Sequence, residues 1–313
     1  MSTATPVFED VLAAAERIAP HIRRTPVVRS ASFDKLVGAS VFFKCDNLQR
    51  TGAFKMRGAS NAVWVLDENE AIRGVATHSS GNHGAALAAA AATRKIPAWI
   101  VVPENATPAK LSNIRKFSPE VIMCKPGLSN RERGLDDVLT ETGANMVHPY
   151  DDGRVIAGQG TACLELLEDE PDLDLVLVPV GGGGLISGTL LVVKALCPGA
   201  RVIGVEPAGA DDAVQALSRG ERVILDNPQT IADGLRASLG AMNFEIIRRE
   251  VSDIVTVSDD EISAARKVLE SCLGQPVEPS SATVAAALID HKIDAAGLRV
   301  GVILTGGNVA ADQ

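Results

Sequence analysis

The sequence predicts an α/β fold built on mostly parallel sheets, and three observations carry that expectation. Strand-like and helix-like segments alternate at βαβ spacing along residues 74–142 and again along 155–205. The apolar run at 173–180 is too continuous for a half-solvated strand and reads as one covered on both faces. Small-residue turns stand where strands pass into helices, at Ser79-Ser80-Gly81-Asn82-His83-Gly84 and at Gly181-Gly182-Gly183-Gly184. With 313 residues and 46% apolar content, the chain suits one large domain or two intimately packed ones.

In chain order, Val11, Leu12, Ala15, Ile18 and Ala19 recur at helical spacing and Pro20 ends the pattern, which predicts an amphipathic helix over 9–19. Residues 24–28 are extended, because the residue before Pro26 is pushed out of the α region. A β-rich run at 41–45 leads into the turn before Lys55, and 59–66 reads as helix. Strands are then expected at 74–77, 98–102 and 121–124, alternating with helices at 80–93, 107–117 and 129–142. After an interruption around His148-Pro149-Tyr150-Asp151-Asp152, helices at 155–168 and 185–196 alternate with strands at 173–180 and 201–205. Residues 207–240 read as polar and irregular, and 242–249 as helix. Ser258 and Glu261 form a capping box for a helix reaching about residue 273. One more helix at 282–289 precedes a last strand at 299–304, which runs into Thr305-Gly306-Gly307-Asn308.

Composition narrows the function. The net charge is -9, the isoelectric point is near 5.1 and no basic cluster is present, so a nucleic-acid partner is not expected. The longest low-polarity stretch, 84–93, is far shorter than the roughly 20 residues a bilayer span needs. Residues 1–10 show no basic region followed by an apolar run, so they do not read as a secretory signal, and a cytoplasmic location is expected. Cys45, Cys124, Cys163, Cys197 and Cys272 are scattered without a Cys-x-x-Cys pair, which predicts reduced, mostly buried thiols.

The chemistry centres on Thr51-Gly52-Ala53-Phe54-Lys55-Met56-Arg57-Gly58. It sets Lys55 between a glycine turn and a helix. An amine held still and partly neutral can add to a carbonyl as a Schiff base, whereas a solvated helix-start lysine is the plainer reading. Gly181 to Gly184 let backbone amides turn inward at a helix start, a phosphate cradle that needs no basic side chain; tight packing is the alternative. A dinucleotide is the rival ligand, and Glu206 follows at about the interval of a ribose-binding acid. The G-x-G-x-x-G spacing and any P-loop are missing, however. The Ser79 to Gly84 turn offers amide donors to an anion, Ser80 adds a hydroxyl able to move a proton, and His83 reads as ordering the turn. With the Thr305 hydroxyl at a strand end, these are the parts pyridoxal phosphate requires.

These segments, together with Glu278-Pro279-Ser280-Ser281, occur in order across nearly the whole chain, and the sequence resembles the serine racemase and serine/threonine dehydratase family of fold-type II pyridoxal phosphate enzymes. The resemblance implies a tryptophan synthase β-like architecture of two mostly parallel α/β domains with the cofactor between them. Residues 1–73 and 150–313 would form the large domain and 74–149 a small mobile one. It implies that Lys55 carries the cofactor, Phe54 and Asn82 contact its ring region, Gly181, Gly182, Gly183, Gly184 and Leu185 bind its phosphate, and Thr305 faces its pyridine nitrogen. Ser79, Ser80, Gly81, Asn82, His83, Arg131 and Tyr150 would meet the substrate. Lys55 and Ser80 would lie on opposite faces of the bound amino acid, one removing the α-proton and the other returning one. Loss of the β-hydroxyl would instead yield a keto acid and ammonia. Glu206, Ala210 and Asp212, in Glu206-Pro207-Ala208-Gly209-Ala210-Asp211-Asp212, would hold a divalent cation, with a solvated acidic loop as the alternative. Oxygen-only ligands suit Mg²⁺, Mn²⁺ or Ca²⁺. The run Thr230-Ile231-Ala232-Asp233-Gly234-Leu235-Arg236 also looks racemase-like, and a homodimer is implied.

Departures from the family divide the substrate reading. Tyr150 stands where animal serine racemases carry asparagine, and Ala53 where many relatives carry serine. With Thr305, these look more like hydroxyaspartate dehydratases. Arg131 could pair bidentately with a second carboxylate or simply cover a helix surface. The expected function is racemisation and dehydration of serine-like β-hydroxy amino acids. The alternative is a threo-3-hydroxyaspartate ammonia-lyase giving oxaloacetate and ammonia.

Overall fold

The computed structural model describes residues 4–309. Helix α1 (Phe8–Ile18) buries Val11, Ala14 and Ile18, and the chain then forms β1 (Val27–Val28), α2 (Ala31–Val37) and β2 (Ser40–Cys45). Next come α3 (Lys55–Trp64), α4 (Glu68–Ile72), β3 (Val75–His78), α5 (Asn82–Arg94), β4 (Ala98–Pro103), α6 (Pro108–Arg115), β5 (Glu120–Cys124), α7 (Leu128–Thr142) and β6 (Asn145–Met146). The remainder is α8 (Gly153–Asp169), β7 (Leu175–Pro179), α9 (Gly184–Leu196), β8 (Arg201–Pro207), α10 (Asp212–Arg219), α11 (Ala241–Glu250), β9 (Asp253–Val257), α12 (Asp259–Leu273), α13 (Pro279–Ile289) and β10 (Arg299–Leu304).

The strands form a six-stranded sheet of order β1-β2-β10-β7-β8-β9 and a four-stranded sheet of order β5-β4-β3-β6. Every pairing is parallel except that of β1 with β2. β10 lies between β2 and β7, with Val300 opposite both Val41 and Leu175. β7 is buried along its whole length because helices cover both faces of the sheet. Val176 and Val178 pack with α1, α8 and α9, while Leu175 and Leu177 pack with α2, α12 and α13.

Helix α3 joins the two sheets. Its Met56, Ala59 and Val63 share a core with the α5 alanines, Ile100 and Val102 of β4, and Val155 of α8. The crossing with α8 is close: a Cβ on Gly158 would sit 2.6 Å from the Gly58 Cα. Gly58 weakens helix propensity locally, which hides from the sequence that α3 begins at Lys55 and not near residue 59.

Residues 207–240 are less irregular than expected, since α10 occupies 212–219. Its buried positions are Asp212, Ala213 and Ala216, none of them a large apolar residue, and its first amides are capped by Glu206 of the preceding strand, seven and eight residues back and outside the range of a capping box. Strand β9 also went unread, although Ile254 and Val257 turn inward. Among the described cysteines all are free; Cys45 and Cys163 are buried, whereas Cys124, Cys197 and Cys272 are only partly so. No described helix is long and apolar enough to cross a membrane.

Candidate active site

Lys55 is the first residue of α3, and residues 305–308, about 250 positions away, hold its turn in place. Gly52 adopts φ +74°, and its carbonyl accepts from Gly307 N. Phe54 N donates to the Thr305 carbonyl at 2.9 Å, and Ala53 bridges Gly306. A side chain at Gly52 would strike Asn308, whose amide donates both to the Thr51 carbonyl and to Asn82 Oδ1. The Lys55 amine is 5.1 Å from the Phe54 ring centroid and donates to the Pro149 carbonyl at 2.8 Å. No described carboxylate pairs with it, and burial lowers the amine to about 8. A lysine poised this way has a substantial neutral fraction near pH 8, which nucleophilic addition to a carbonyl needs.

Two residues further along α3, Arg57 anchors the helix. Its guanidinium grips Asp46 at 2.6 and 2.9 Å and Glu165 at 2.7 and 2.8 Å. Lys44 completes the network by pairing with Glu165 at 2.6 Å. Both Arg57 and Asp46 are fully buried, so each charge depends on the other for its solvation.

The glycine loop lies between β7 and α9. Gly183 takes φ +92°, in the left-handed region that favours glycine, and α9 starts with no side-chain cap, leaving its first amides open to an anion. Gly182 is pressed by Tyr150, whose ring would lie 2.3 Å from any Cβ placed there. Asn243 Nδ2 donates to the Gly182 carbonyl at 2.9 Å and fixes the loop from α11. Leu185 follows, buried in α9.

The turn from β3 to α5 carries Ser79 and Ser80, both partly buried, and α5 also begins without a side-chain cap. Asn82 Nδ2 donates to both oxygens of Glu278, at 3.2 and 3.1 Å, and burial raises that carboxyl to about 7. His83 Nε2 bonds the Val147 carbonyl at 3.3 Å, and burial keeps the ring neutral by holding its pKa well below the usual value. Thr305 Oγ1 lies 3.0 Å from Ser281 Oγ, which also accepts from Gly306 N. The uncapped glycine loop, the unpaired amine and this neutral hydroxyl fit pyridoxal phosphate: an anion cradle, an attachment point and a partner for the ring nitrogen.

Arg131, on α7, makes no ion pair among the described residues, yet its charge acts on His78 and Tyr150. His78 is pushed down to about 4, first by burial and then by Arg131 and His148. In the segment that gathers these groups, residues 148–152, the sequence singles out Tyr150 and otherwise reads only an interruption. The Asp151 carboxylate accepts from Ala241 N and Met242 N at the start of α11, and Asp152 caps α8. A polar run around a proline looks like an ordinary loop. The remaining signal was its position between two α/β units.

Glu206 and Asp212 form a separate buried pair. Glu206 accepts from Ala213 N at 3.2 Å and Val214 N at 3.1 Å, and Asp212 accepts from Leu239 N at 2.8 Å. Burial, reinforced by Asp212, raises Glu206 to about 9; burial raises Asp212 to about 6. Among the described residues no group of three or more His, Cys, Asp or Glu side chains is placed to hold a metal. A cation here would need the buried Ala210 to add its carbonyl.

A lysine amine and an anion cradle between parallel α/β sheets define a carbonyl-cofactor enzyme, and the chain belongs to the pyridoxal-phosphate dependent enzyme family, whose model matches residues 18–306. It is similar to a beta-hydroxyaspartate dehydratase of Paracoccus denitrificans, with 48% identity covering 98% of each chain. It is also similar to a serine racemase of Arabidopsis thaliana, with 47% identity over 95% of this chain and 91% of the relative. The solved structure of maize serine racemase superposes with a TM-score of 0.96 at 43% identity, covering 99% of this chain and 95% of that one.

The buried network makes one expectation specific. Arg57→Ala strands the Asp46 carboxylate in the interior and should cost about 3–5 kcal/mol of stability, read by denaturant unfolding; a loss below about 1 kcal/mol would show that water reaches the site.

Proposed function

We propose that this enzyme racemises and dehydrates serine-like β-hydroxy amino acids. The observation that carries the reading is the Lys55 amine, desolvated and without a carboxylate partner, at the meeting point of Phe54, the Pro149 carbonyl and the Thr305 to Asn308 strand end. Relatives of the same length include serine racemases. Pyridoxal phosphate, when bound, condenses with the substrate amine and draws electrons from the bonds at its Cα. The protein supplies the rest. Lys55 serves one face of Cα as the proton acceptor or donor, and Ser80 serves the other with its hydroxyl. The open amides at the start of α5, with Ser79, Gly81, Asn82 and His83 around them, receive the substrate carboxylate. Thr305 would offer the ring nitrogen a neutral hydroxyl, which would leave that nitrogen largely unprotonated and disfavour transamination.

Residues 74–149 are taken as a small unit that closes on the rest, 1–73 and 150–313, to bring Ser80 over the substrate and expel water. The ion pair between Lys110 of α6 and Asp233 supports such a closed arrangement. A cytoplasmic homodimer is inferred from the family resemblance and from the free cysteines.

A second reading is favoured by Arg131. An arginine without a carboxylate partner, acting on Tyr150 and His78, suits a substrate with a second carboxylate. That substrate would be threo-3-hydroxyaspartate, released as oxaloacetate and ammonia, in line with the dehydratase relative. Incubation with L-serine, D-serine, L-threonine and the hydroxyaspartate stereoisomers, following enantiomer and keto acid together, separates the two. Ser80→Ala should depress racemisation by about 100-fold or more and elimination from the L-enantiomer by much less; equal losses would remove its proton role.

We also infer that Glu206, Asp212 and the Ala210 carbonyl hold Mg²⁺, Mn²⁺ or Ca²⁺, because two buried carboxylates share a site with no basic side chain bonded to either. Both folded pKa values lie above the ordinary ones: 4.5 rises to about 9 for Glu206, and 3.8 to about 6 for Asp212. Folding therefore favours their protonated forms, and that stability is lost as pH rises through these values. Chelator-treated protein should melt at progressively lower temperature from about pH 4 to 9, and Mg²⁺ or Mn²⁺ should restore it. Melting indifferent to chelation would exclude the cation.

A further inference from the structure

Residues 148–151 tie together parts of the site that come from distant stretches of sequence. His148 Nδ1 accepts from Asp151 N at 2.9 Å and from Tyr150 N at 3.4 Å. The Pro149 carbonyl accepts from the Lys55 amine at 2.8 Å. Tyr150 lays its ring on Gly182, and its own carbonyl accepts from Asn243 Nδ2 at 3.1 Å. Proline has no N–H, so the first amides available after it are those of Tyr150 and Asp151. Both go to one imidazole nitrogen. That nitrogen must be unprotonated, which places the ring proton on Nε2. The ring is held between neighbours, with His78 at 6.1 Å and Tyr150 at 4.6 Å, both edge-on.

We infer that His148 is a positioning residue for the free amine of Lys55: by accepting the two amides that follow Pro149, it fixes the carbonyl on which that amine rests whenever it is not joined to a carbonyl group. The amine needs such a rest. Its four-carbon stem is flexible, and the Pro149 oxygen is its one hydrogen-bond partner among the described residues. In the proposed reaction the free Lys55 amine would have to stay aimed at the substrate Cα to exchange a proton there.

The groups facing His148 decide its charge. Asp151 and Asp152 favour the imidazolium, while Lys55 and Arg222 oppose it. His78 and Tyr150 touch the ring, and His83 lies within electrostatic reach. Burial is the largest influence and lowers the imidazole from its ordinary value, so the ring stays neutral at neutral pH. Acidification would place a proton on Nδ1 and remove both acceptances at once.

The catalytic consequence rests on the activity proposed above, but the placement of the amine can be tested without turnover. In the cofactor-free protein, trace acetylation with acetic anhydride between pH 6 and 10, read at the Lys55 peptide by mass spectrometry, reports the midpoint of the amine. His148→Phe keeps the ring volume and loses the acceptor, and should lower that midpoint by about one unit. His148→Asn, whose side-chain oxygen can take amides two or three residues on, should keep it. In the reconstituted enzyme, His148→Phe should lower kcat roughly 10- to 100-fold with KM within about twofold, and His148→Asn should recover most of the loss. Unchanged midpoints, or equal damage from both substitutions, would overturn the assignment. His148→Leu carries the same expectation should the phenylalanine variant not fold. The shifted midpoint in a protein that turns over no amino acid would retire the proposed activity and uphold the positioning; activity with unshifted midpoints would do the reverse.

Discussion

The site depends on keeping one amine partly dry and without a counter-charge. A lysine so placed loses solvation and regains little, so it drifts toward water or a carboxylate unless the backbone around it resists. The structure resists from several directions. Arg57 clamps α3 through Asp46 and Glu165, the Thr305 to Asn308 segment is bonded along the turn before Lys55, and the Pro149 carbonyl receives the amine itself. The charges needed for rigidity sit two residues from Lys55, paired with one another and not with its amine. Stability and reactivity are thus drawn from the same helix without the carboxylates quenching the amine.

The glycines serve close approach more than flexibility. Gly58 and Gly158 let α3 meet α8, which sets the distance from the lysine to the large sheet. Gly182 makes room for the Tyr150 ring, so the proposed phosphate cradle and the crossover segment press directly on one another. A cofactor bound at the loop would therefore sense which residue occupies position 150, because the Tyr150 ring leaves no room for a side chain at Gly182.

Much of the architecture was legible because its signals are local. Apolar runs on buried strands, the Ser258 capping box and the alternation at βαβ spacing all express themselves within a few residues. The family and its cofactor were legible for a related reason: the lysine turn, the glycine loop and the Ser79 to Gly84 turn each carry a compact signature. What escaped is non-local. Helix α10 begins under a cap that Glu206 supplies from β8, beyond the three-residue reach of a capping box, and its buried residues, Asp212, Ala213 and Ala216, include no large apolar side chain. Strand β9 is held by pairing with β8. Residues 148–152 act in the site through partners about 90 positions away, among them Lys55, Ala241 and Asn243, and nothing in a His-Pro-Tyr-Asp-Asp run announces that.

The place of β10 bears on how the chain reaches this state. Its two neighbours, β2 and β7, do not touch each other in the sheet order, so the central gap stays open until residues 299–304 arrive. During synthesis the four strands of the smaller sheet, all lying between residues 75 and 146, can pair early, while β2 waits with an unsatisfied edge. Pairings of such long sequence separation are slow to form and expose apolar edges meanwhile. The turn that presents Lys55 takes its backbone bonds from Thr305 to Asn308, just beyond β10. The turn that holds Lys55 is therefore organised only once residues 299–308 have docked beside β2 and β7, and a chain that has not yet made them lacks that turn.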